Sequence, residues 1–541
     1  MKQNGKIKVS LLIFMILILG FSVQVKADYQ LPTIEKSIEI PSNLKKVVNR
    51  LPTKYLSTFG RTLNYFHLKD SLKLNVKNQQ DKNICWACSS NSAYETTVNR
   101  QNGSNYLFDD DQLDQKVNQA YGKTTEAGGN IFMAYGYYTA GNSPVTVGGQ
   151  TTNLAIDEYT LFPTIFKSVV DGKIQYKDNH PLLQGNTYTE EEVKLVRSQI
   201  KQHIQNYGAV TAAMYASDMR YYNDTLTAFY SDSSLVSPDH QVTIVGWDDN
   251  YAVENFNEAH RPTEPGAYIV MNSHGTDVYD KGFLYISYQD NFIESVCSGI
   301  KKTSTKEKTQ LYQYDELGIN TAVGFKVDAY GANVFTRNNP SQEEYLTEVN
   351  LSTLAAGQFE IYVNEQDGEL SLDKLKKVKT ITTENAGFST ITLSTPIKLT
   401  GQKFVVAIKS IKGDALAQIG LENNDGVFWK NATAQKGQSY LSLDGAEWED
   451  LKDLEADLGN QDANICLKAK TTTNNSQTEI LGDINGDGTL DLLDLSVLIA
   501  HLGNWEGKVL TGEKLQAADI TKDGEVDTRD LSKLILLLAQ G

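Results

Sequence analysis

Cysteine is scarce in this chain, because 541 residues contain only Cys85, Cys88, Cys297 and Cys466. If one of the four acts as a nucleophile, an odd number remains, and an odd number cannot form a complete set of disulfides. The scarcity therefore excludes a disulfide framework. It leaves the cysteines for chemistry or for packing in a hydrophobic interior.

Positive charge is also in short supply. Lys and Arg number 50 against 67 Asp and Glu, which gives a formal net charge of −17 at pH 7. Proteins that bind a phosphate backbone do so through an excess of Lys and Arg. This balance argues against nucleic acid as a partner.

No apolar run near the start of the chain is long enough to span a membrane. Val9–Phe21 follows Lys2, Lys6 and Lys8, and thirteen residues are too few for a hydrocarbon core of about 30 Å. Val25–Ala27 offers a small-residue cleavage site, so residues 1–27 are predicted to be a secretory signal. We expect a secreted, extracellular protein without stable membrane insertion. Removal of the leader, which carries four lysines and no acid, changes the net charge from −17 to −21.

The length of the chain predicts several domains, since about 150 residues per domain gives three or four. Shifts in composition and pattern place the boundaries. We divide the chain into a signal peptide (1–27), a short leader or propeptide (28–50), a first domain (51–304), a second domain (305–470), a linker (471–479) and a C-terminal module (480–541).

The first domain is organised around Cys85, which stands at the predicted start of a helix, six residues after Gln79. A helix N-terminus carries a partial positive charge that favours a thiolate, so the pKa of such a cysteine can fall from about 8.5 into the range of about 3.5–7.5. Cys85-Trp86-Ala87-Cys88 also fits the C-x-x-C of a thioredoxin-like redox site. That alternative needs a βαβ pattern around it, whereas a peptidase needs His and Asn far downstream.

The chain carries the downstream histidine and asparagine that a peptidase needs. His240 precedes an apolar run that ends in Val245-Gly246-Trp247, and Asn272 follows the apolar segment 267–271. His240 lies 155 residues after Cys85, and Asn272 lies 32 residues after His240. In that class of peptidase, His and Asn usually follow the Cys by about 130–150 residues, so the spacing fits loosely. The excess between His240 and Asn272 lies in a polar stretch, 248–265, that is predicted to be an enlarged loop.

These segments resemble the papain family of cysteine peptidases, whose mature enzymes carry Val-Lys-Asn-Gln, a short loop and Cys-Trp-Ala. The resemblance implies an α+β papain-like domain with a helical and a β-barrel-like subdomain, which hydrolyses peptide bonds in protein or peptide substrates and needs no cofactor for catalysis. It implies that Cys85 is the nucleophile, that His240 is the general base and that Asn272 orients the imidazole of His240. A thiolate–imidazolium pair, with Gln79 and the Cys85 N–H as oxyanion hole, follows from it.

Other positions agree with the family or depart from it. Gly128 and Gly129 resemble the Gly-Gly pair whose backbone binds an extended substrate. His274 stands where the family has a tryptophan that shields the Asn–His hydrogen bond, and an ordinary imidazole becomes charged near pH 6.5. Lys82-Asn83-Ile84 also departs from the family. These departures support an alternative, a catalytically silent binding or inhibitory module with the same fold.

The second domain shows period-two alternation in short runs such as 359–363, 390–393 and 403–408, which predicts an antiparallel β-sandwich. Its strand order and its ending resemble the lectin-like domain of some bacterial papain-type peptidases. Carbohydrate is therefore a candidate partner. Trp429 and Trp448 could stack on a sugar, although packing in the interior is the expected role of each.

The C-terminal module contains a repeat with a period of 36 residues. Each copy has Asp, Asn or Thr at the spacing of a calcium loop, with glycine at the sixth position, and continues into a predicted helix with the same apolar stripe. The candidate Ca²⁺ ligands are Asp483, Asn485, Asp487, Thr489, Asp491 and Asp494 in the first loop, and Asp519, Thr521, Asp523, Glu525, Asp527 and Asp530 in the second.

This repeat resembles a dockerin, a small α-helical module that plugs enzymes into the cohesin domains of a cellulosome scaffold. The resemblance implies structural Ca²⁺ and a cohesin partner, and it places the enzyme at a cell-surface assembly that degrades polysaccharide. Thr521 is a neutral ligand where dockerins usually carry Asn or Asp. Leu492-Leu493 and Thr528-Arg529 differ between the copies, which argues against a symmetric two-way contact with cohesin.

Overall fold

The computed structural model describes the two-residue strand β1 (Phe14–Met15) and residues 63–170, 173–178, 187–233, 237–306, 309–413, 416–455, 458, 462–473, 481–485, 490–505, 509–521 and 523–540. Apart from β1, the predicted signal peptide and the leader 28–50 lie outside these residues. Most of the predicted linker lies outside them too, as do Asp487 and Thr489 of the first calcium loop.

The first domain combines four helices with an antiparallel sheet. Its elements are β2 (Tyr65–His67), α1 (Cys85–Asn102), α2 (Asp110–Ala120), α3 (Ile131–Thr139), β3 (Leu154–Leu161), β4 (Ile165–Val170), β5 (Lys173–Asp178), β6 (Thr187–Tyr188), α4 (Glu190–Asn206), β7 (Val210–Met214), β8 (Ala228–Phe229), β9 (His240–Asp248), β10 (Ala267–Met271), β11 (Phe283–Ser287) and β12 (Ser298–Thr305). Short 3-10 helices cover Leu68–Asp70, Thr125–Ala127, Met219–Tyr221 and Val253–Asn255.

Helix α1 is the central element of this domain, and all of its residues from Cys85 to Asn99 are buried. The helix ends at Gly103, whose φ of +63° is the left-handed conformation that glycine adopts readily at a helix C-terminus. The following helices start at polar caps. Asp109 accepts the N–H of Gln112 before α2, and Asn130 accepts the N–H of Met133 before α3.

A single twelve-stranded sheet passes from the first domain into the second, which contributes β13 (Gln310–Tyr312), β16 (Tyr345–Thr353), β19 (Ala386–Lys398) and β25 (Leu467–Thr472) to it. The strand order is β13-β25-β16-β19-β3-β12-β7-β9-β10-β11-β8, with β2 paired to β9. Strand β3 joins the two domains, because it pairs with β12 on one edge and with β19 (Ala386–Lys398) on the other. The pairing of β3 with β19 runs from Ala386 opposite Leu161 to Ser389 opposite Glu158. The two domains therefore share backbone hydrogen bonds.

The second domain is an antiparallel sandwich, as predicted. Its strands are β13 (Gln310–Tyr312), β14 (Thr321–Phe325), β15 (Ala329–Thr336), β16 (Tyr345–Thr353), β17 (Gly357–Asn364), β18 (Lys376–Thr383), β19, β20 (Lys403–Ile411), β21 (Ala417–Asn423), β22 (Ser439–Ser442), β23 (Glu449–Asp450), β24 (Ala463–Ile465) and β25 (Leu467–Thr472), with a 3-10 helix at Leu451–Leu454. A six-stranded sheet, β18-β17-β20-β15-β22-β23, contributes Phe359, Ile361 and Phe404 to the core. The facing sheets contribute Val349 and Leu421 to it.

The interior of the second domain also decides the role of its tryptophans. Trp429 is fully buried, and its Nε1 donates to the Leu317 carbonyl at 3.1 Å. The Tyr121 ring of the first domain packs edge-on against Trp429, with ring centroids 5.4 Å apart. Trp429 thus packs at the domain junction and cannot stack on a sugar. Trp448 is half-buried, and its Nε1 donates to the Gly445 carbonyl.

The C-terminal module contains α5 (Leu492–Leu502), α6 (Glu513–Ala518) and α7 (Thr528–Gln540). The sequence predicted α5 and α7 from their apolar stripes but not the short α6. Leu498 and Leu534 are fully buried at the contact between α5 and α7. Ile499 and Ile535, in the same stripes, are exposed. Among the described residues of the module, this core has six buried members: Ile484, Leu498, Leu510, Ala518, Ile520 and Leu534.

Candidate active site

The thiol of Cys85 lies at the first residue of α1 and is almost fully buried, with 1 % of the residue exposed. The backbone N–H of Gln241, at the start of β9, donates to it. This contact places Cys85 beside His240, the preceding residue in that strand. All four cysteines are free thiols, so the structure contains no Cys85–Cys88 disulfide of the kind that the redox alternative would form.

The pKa of Cys85 departs from the sequence expectation. Burial raises the pKa of the thiol to about 11, while N–H groups of Gln241 and Trp86 lower it by a smaller amount. The expected fall below 8.5 is therefore wrong for the thiol in this structure, because loss of water outweighs the field of the helix start. Burial also lowers the pKa of His240, so loss of water opposes the predicted thiolate–imidazolium pair at both of its members.

His240 and Asn272 are held by neighbouring strands. His240 begins β9 and Asn272 follows the last residue of β10, and these two strands pair antiparallel with Met271 opposite Thr243. The Nε2 atom of His240 lies 2.7 Å from Oδ1 of Asn272. Burial lowers the pKa of His240, and the hydrogen bond to Asn272 opposes that shift. Because Asn272 occupies Nε2, Nδ1 is the ring nitrogen left for a proton from the thiol.

Gln79 is fixed next to Asn272 by Ser273. The backbone N–H of Gln79 donates to the Ser273 carbonyl at 2.8 Å, and the Ser273 hydroxyl donates to Gln79 Oε1 at 2.5 Å. Gln79 Nε2 donates one hydrogen to the Lys82 carbonyl at 2.8 Å. An amide nitrogen carries two hydrogens, so the second remains as a donor. Ser273 is a residue whose part in the site the sequence analysis missed.

His274 lies over the ring of His240. Their ring centroids are 5.2 Å apart and the planes differ by 25°. Burial, together with the neighbouring His240, lowers the pKa of His274 to about 4. The sequence expectation of charging near pH 6.5 therefore does not apply to this imidazole.

Gly129 lines a small pocket beside His240, and Gly128 precedes it in the chain. Gly128 has a φ of +64°, and a Cβ added to Gly129 would come within 2.5 Å of the Trp86 ring. Glycine is therefore required at Gly129 by close packing as well as by any substrate. The remaining lining combines apolar with polar residues: Phe132, Ala213, Pro238 and Val296, and Asn130, Asp239 and Gln241.

A buried charge network lies behind the site. Lys77 Nζ contacts Glu95 at 2.6 Å, Asp110 at 3.2 Å and the Phe108 carbonyl at 3.0 Å. The pKa of Glu95 is raised to about 7 by burial, although Lys77 lowers it. These contacts tie α1 to α2 and to the segment that carries Gln79. The sequence analysis did not identify these contacts, because it treated Lys77 only as the lysine of the Val-Lys-Asn-Gln motif.

The two calcium loops share one structural feature, a buried aspartate at the twelfth position. Asp494 accepts the N–H of Ile484 at 2.8 Å and of Asn485 at 3.0 Å. Asp530 accepts the N–H of Thr521 at 2.9 Å and its hydroxyl at 3.0 Å. Both aspartates are fully buried.

The second loop already holds a cation, the guanidinium of Arg529. It lies 2.7 Å from both Asp523 and Asp527, and 3.5 Å from Glu525. Asp519 accepts the N–H groups of Asp523 and Gly524. In the part of the chain that the structure describes, no three acidic, His or Cys side chains converge on a point where a metal ion could sit. The oxygen donors suit Ca²⁺ in chemical type, and they already accept a positive charge.

Three regions of the chain match known protein families. Residues 67–306 match the papain family of cysteine proteases, residues 311–471 the lectin-like domain and residues 481–539 the dockerin type I domain. No curated protein matches the chain. None of the helices in the described residues is long and apolar enough to cross a membrane.

Two solved structures show the same two-domain fold. The cysteine protease and lectin-like domains of Cwp84, a surface layer associated protein of Clostridium difficile, share 21 % identity with a TM-score of 0.62, over 77 % of this chain and 90 % of that one. The clostridial Cwp84 after propeptide cleavage gives 21 % identity and a TM-score of 0.63, over 76 % and 99 %. At this identity the likeness establishes the fold.

Proposed function

This chain is a multidomain cysteine peptidase with a papain-family domain, a lectin-like domain and a dockerin, and on that premise we propose that it is a secreted endopeptidase whose reaction is carried by Cys85, His240 and Asn272. The observation that supports this most is the pairing of His240 Nε2 with Asn272 Oδ1 at 2.7 Å, beside a thiol held by the next residue of the same strand.

In this mechanism the Cys85 sulfur attacks the carbonyl carbon of the scissile peptide bond. His240 takes the thiol proton on Nδ1 as the sulfur–carbon bond forms, because a buried thiol with a pKa of about 11 needs an adjacent base. Asn272 keeps the ring oriented and stabilises the imidazolium. His240 then gives the proton to the leaving amine, and water releases the acyl group from sulfur.

The oxyanion that forms is stabilised by the second amide hydrogen of Gln79 and by the N–H of Cys85. N–H groups in the first turn of a helix have no partner within the helix. Loss of one such donor typically lowers the rate by about 10²–10³. The double anchoring of Gln79 by Ser273 keeps this donor in place before substrate arrives.

Substrate binds in an extended conformation against Gly128 and Gly129. The neighbouring pocket, lined by Phe132, Ala213 and Pro238, fits an apolar side chain of the substrate. The carboxylate of Asp239, at the edge of this pocket, is already held within the first domain because it accepts the N–H of Ala216 at 2.7 Å. We therefore expect an uncharged residue at this subsite.

The dockerin attaches the peptidase to a cohesin domain of a scaffold protein at the cell surface, as in a cellulosome. Dockerin type I domains generally bind calcium. In the second loop Asp519, Asp523, Asp527 and Asp530 would hold the ion, and the first loop would use Asp483, Asn485, Asp491 and Asp494 with Asp487 and Thr489. The ion supplies charge compensation for these carboxylates. Carbohydrate remains a candidate ligand of the lectin-like domain.

Covalent labelling tests the catalytic proposal. An epoxysuccinyl thiol inhibitor should modify the folded chain once, at Cys85, and abolish hydrolysis of a peptide library. Cys85→Ser should take up no label and hydrolyse nothing. Cys88→Ser is the matched control, because Cys88 is equally buried one turn further along α1, and it should label and hydrolyse like the parent. A folded parent that takes up no label at Cys85 would contradict the proposal.

A further inference from the structure

Four aromatic rings form a continuous stack that starts at His240. The centroid distance is 5.2 Å from His240 to His274, 5.9 Å from His274 to Tyr279 and 6.3 Å from Tyr279 to Tyr222. Successive planes differ by 25°, 26° and 21°. The far end is anchored, because Tyr222 is buried and packs edge-on against Phe229 with centroids 4.7 Å apart.

The hydroxyl of Tyr279 is the polar centre of this stack. It lies 2.8 Å from Nδ1 of His274, and it faces the Tyr222 hydroxyl and the side chain of Asn272. A phenol has one hydrogen to donate and can accept others. Tyr279 can therefore donate its hydrogen to His274, whereas the Tyr222 hydroxyl donates to the Ala216 carbonyl at 3.5 Å.

These contacts account for both ends of the Asn272 side chain. Its Oδ1 accepts from His240 Nε2 and from the N–H of Ser273, which lies 2.8 Å away. Its Nδ2 faces His274 Nδ1 at 3.4 Å and the Tyr279 hydroxyl. An amide rotated by 180° would place two hydrogens against His240. His274 Nδ1 opposes that rotation because it faces the amide hydrogens, and the hydroxyl of Tyr279 holds that imidazole in place.

Tyr279 occupies an uncommon backbone conformation to reach this position. Its φ is +57°, and Lys281 two residues later has a φ of +54°. Bulky residues rarely adopt this region, and such outliers persist where surrounding contacts hold them. Here the Gly282 N–H donates to the Val278 carbonyl at 2.9 Å, which closes the turn that carries Tyr279.

We propose that Tyr279 is a positioning residue for catalysis, which acts through Asn272 and His274 to hold the His240 ring. This inference rests on the proposed function. His274 is smaller than the tryptophan it replaces and is partly exposed, so by itself it would cover the Asn272–His240 hydrogen bond loosely. The hydroxyl of Tyr279 fixes the imidazole of His274 by Nδ1, and that nitrogen faces Nδ2 of Asn272 at 3.4 Å. The ring of Tyr222 stacks on the other side of Tyr279.

A double-mutant cycle on the full chain tests the proposal. Tyr279→Phe keeps the stacked ring and removes only the hydroxyl, so kcat should fall about tenfold, the usual loss for one hydrogen bond, with KM within about twofold. In the background of Asn272→Ala, adding Tyr279→Phe should change kcat by less than about twofold, because the group through which it acts is gone. Tyr285→Phe, which removes the hydroxyl of a half-buried tyrosine stacked on Tyr251 away from Asn272, is the matched control.

A second measurement does not depend on activity. In the parent, ¹⁵N shifts of the His240 ring should report a hydrogen on Nε2, and Tyr279→Phe should mix the two tautomers whereas Tyr285→Phe should not. Unchanged kcat and tautomer in Tyr279→Phe, or losses that add fully to those of Asn272→Ala, would overturn the proposal. If the parent neither hydrolyses peptide nor labels at Cys85, the proposed function fails, and the tautomer shift still decides whether Tyr279 positions the ring.

Discussion

The rings of His240 and His274 lie face to face, with centroids 5.2 Å apart and planes that differ by 25°. A charge on one ring therefore acts directly on the other. His274 has a pKa lowered to about 4 by burial, so it stays neutral at physiological pH. Its protonation would disfavour the His240 imidazolium that the reaction requires.

We expect the pH–rate profiles of the parent and of His274→Trp to coincide above about pH 5 and to separate below it, where His274 becomes charged and the parent loses activity first. The measurement is kcat/KM between pH 3.5 and 8, with folding followed by circular dichroism. Separation already near pH 6.5 would show that burial does not lower this pKa. His240→Ala should lose nearly all activity, since retention of most of it would make His274 the base.

Gly129→Ala should destabilise the first domain. The added Cβ would lie 2.5 Å from the fully buried Trp86 ring, and overpacking of this kind costs about 1–3 kcal/mol. Thermal unfolding should shift downward by several degrees. Gly148→Ala is the matched control, because the nearest atom to its Cβ would be 3.8 Å away, and its unfolding temperature should not change.

Glu422 should make stability fall as pH rises. Burial, together with the neighbouring Asp315, raises the pKa of its carboxyl to about 8. A carboxyl whose folded pKa exceeds its unfolded value of about 4.5 binds a proton more tightly when folded, so stability declines between these two values and then levels off. Glu422→Gln stays neutral and can still accept the N–H of Leu317.

The gain in melting temperature of Glu422→Gln over the parent should therefore increase from pH 5 to pH 9. Glu316→Gln, at an exposed position nearby, should show no such trend. A gain for Glu422→Gln that is independent of pH would mean that the carboxyl is already ionised in the folded chain at pH 5.

Calcium should be coupled to folding of the dockerin. About sixty residues rarely bury enough apolar surface to fold alone, and its core has few members. Residues 480–541 should be largely disordered in chelator, gain helix on addition of calcium and only then bind a matched cohesin. Circular dichroism and pull-down check this. A full helical signal in chelator, or cohesin binding without calcium, would contradict it.

Thr521→Asp should tighten calcium binding at the second loop. Thr521 contributes no charge, and its hydroxyl donates to Asp530 at 3.0 Å. A carboxylate there adds charge for the cation and removes that hydrogen bond, which supports the calcium-free form. Isothermal titration of the two loops should show the gain in the second loop alone. Weaker binding would mean that repulsion from Asp530 dominates.

Short sequence motifs around Cys85, His240 and Asn272 were enough to predict that these residues lie together. Period-two alternation predicted the sandwich. The pKa of Cys85 could not be predicted from the sequence, because it depends on how much water the folded chain excludes. Tyr279 has no signal of its own, since its contacts arise from a turn with positive φ. Arg529 was noticed only as a difference between repeats.

Residues 158–161 of strand β3 are paired on both edges, with β12 on one edge and with β19 on the other. A peptidase domain without the lectin-like domain would leave the N–H and C=O groups of this second edge without partners, beside the buried side chains of Tyr159 and Leu161. Such edges recruit strands from other copies. By pairing with this edge, the lectin-like domain prevents a second copy of the chain from pairing with it.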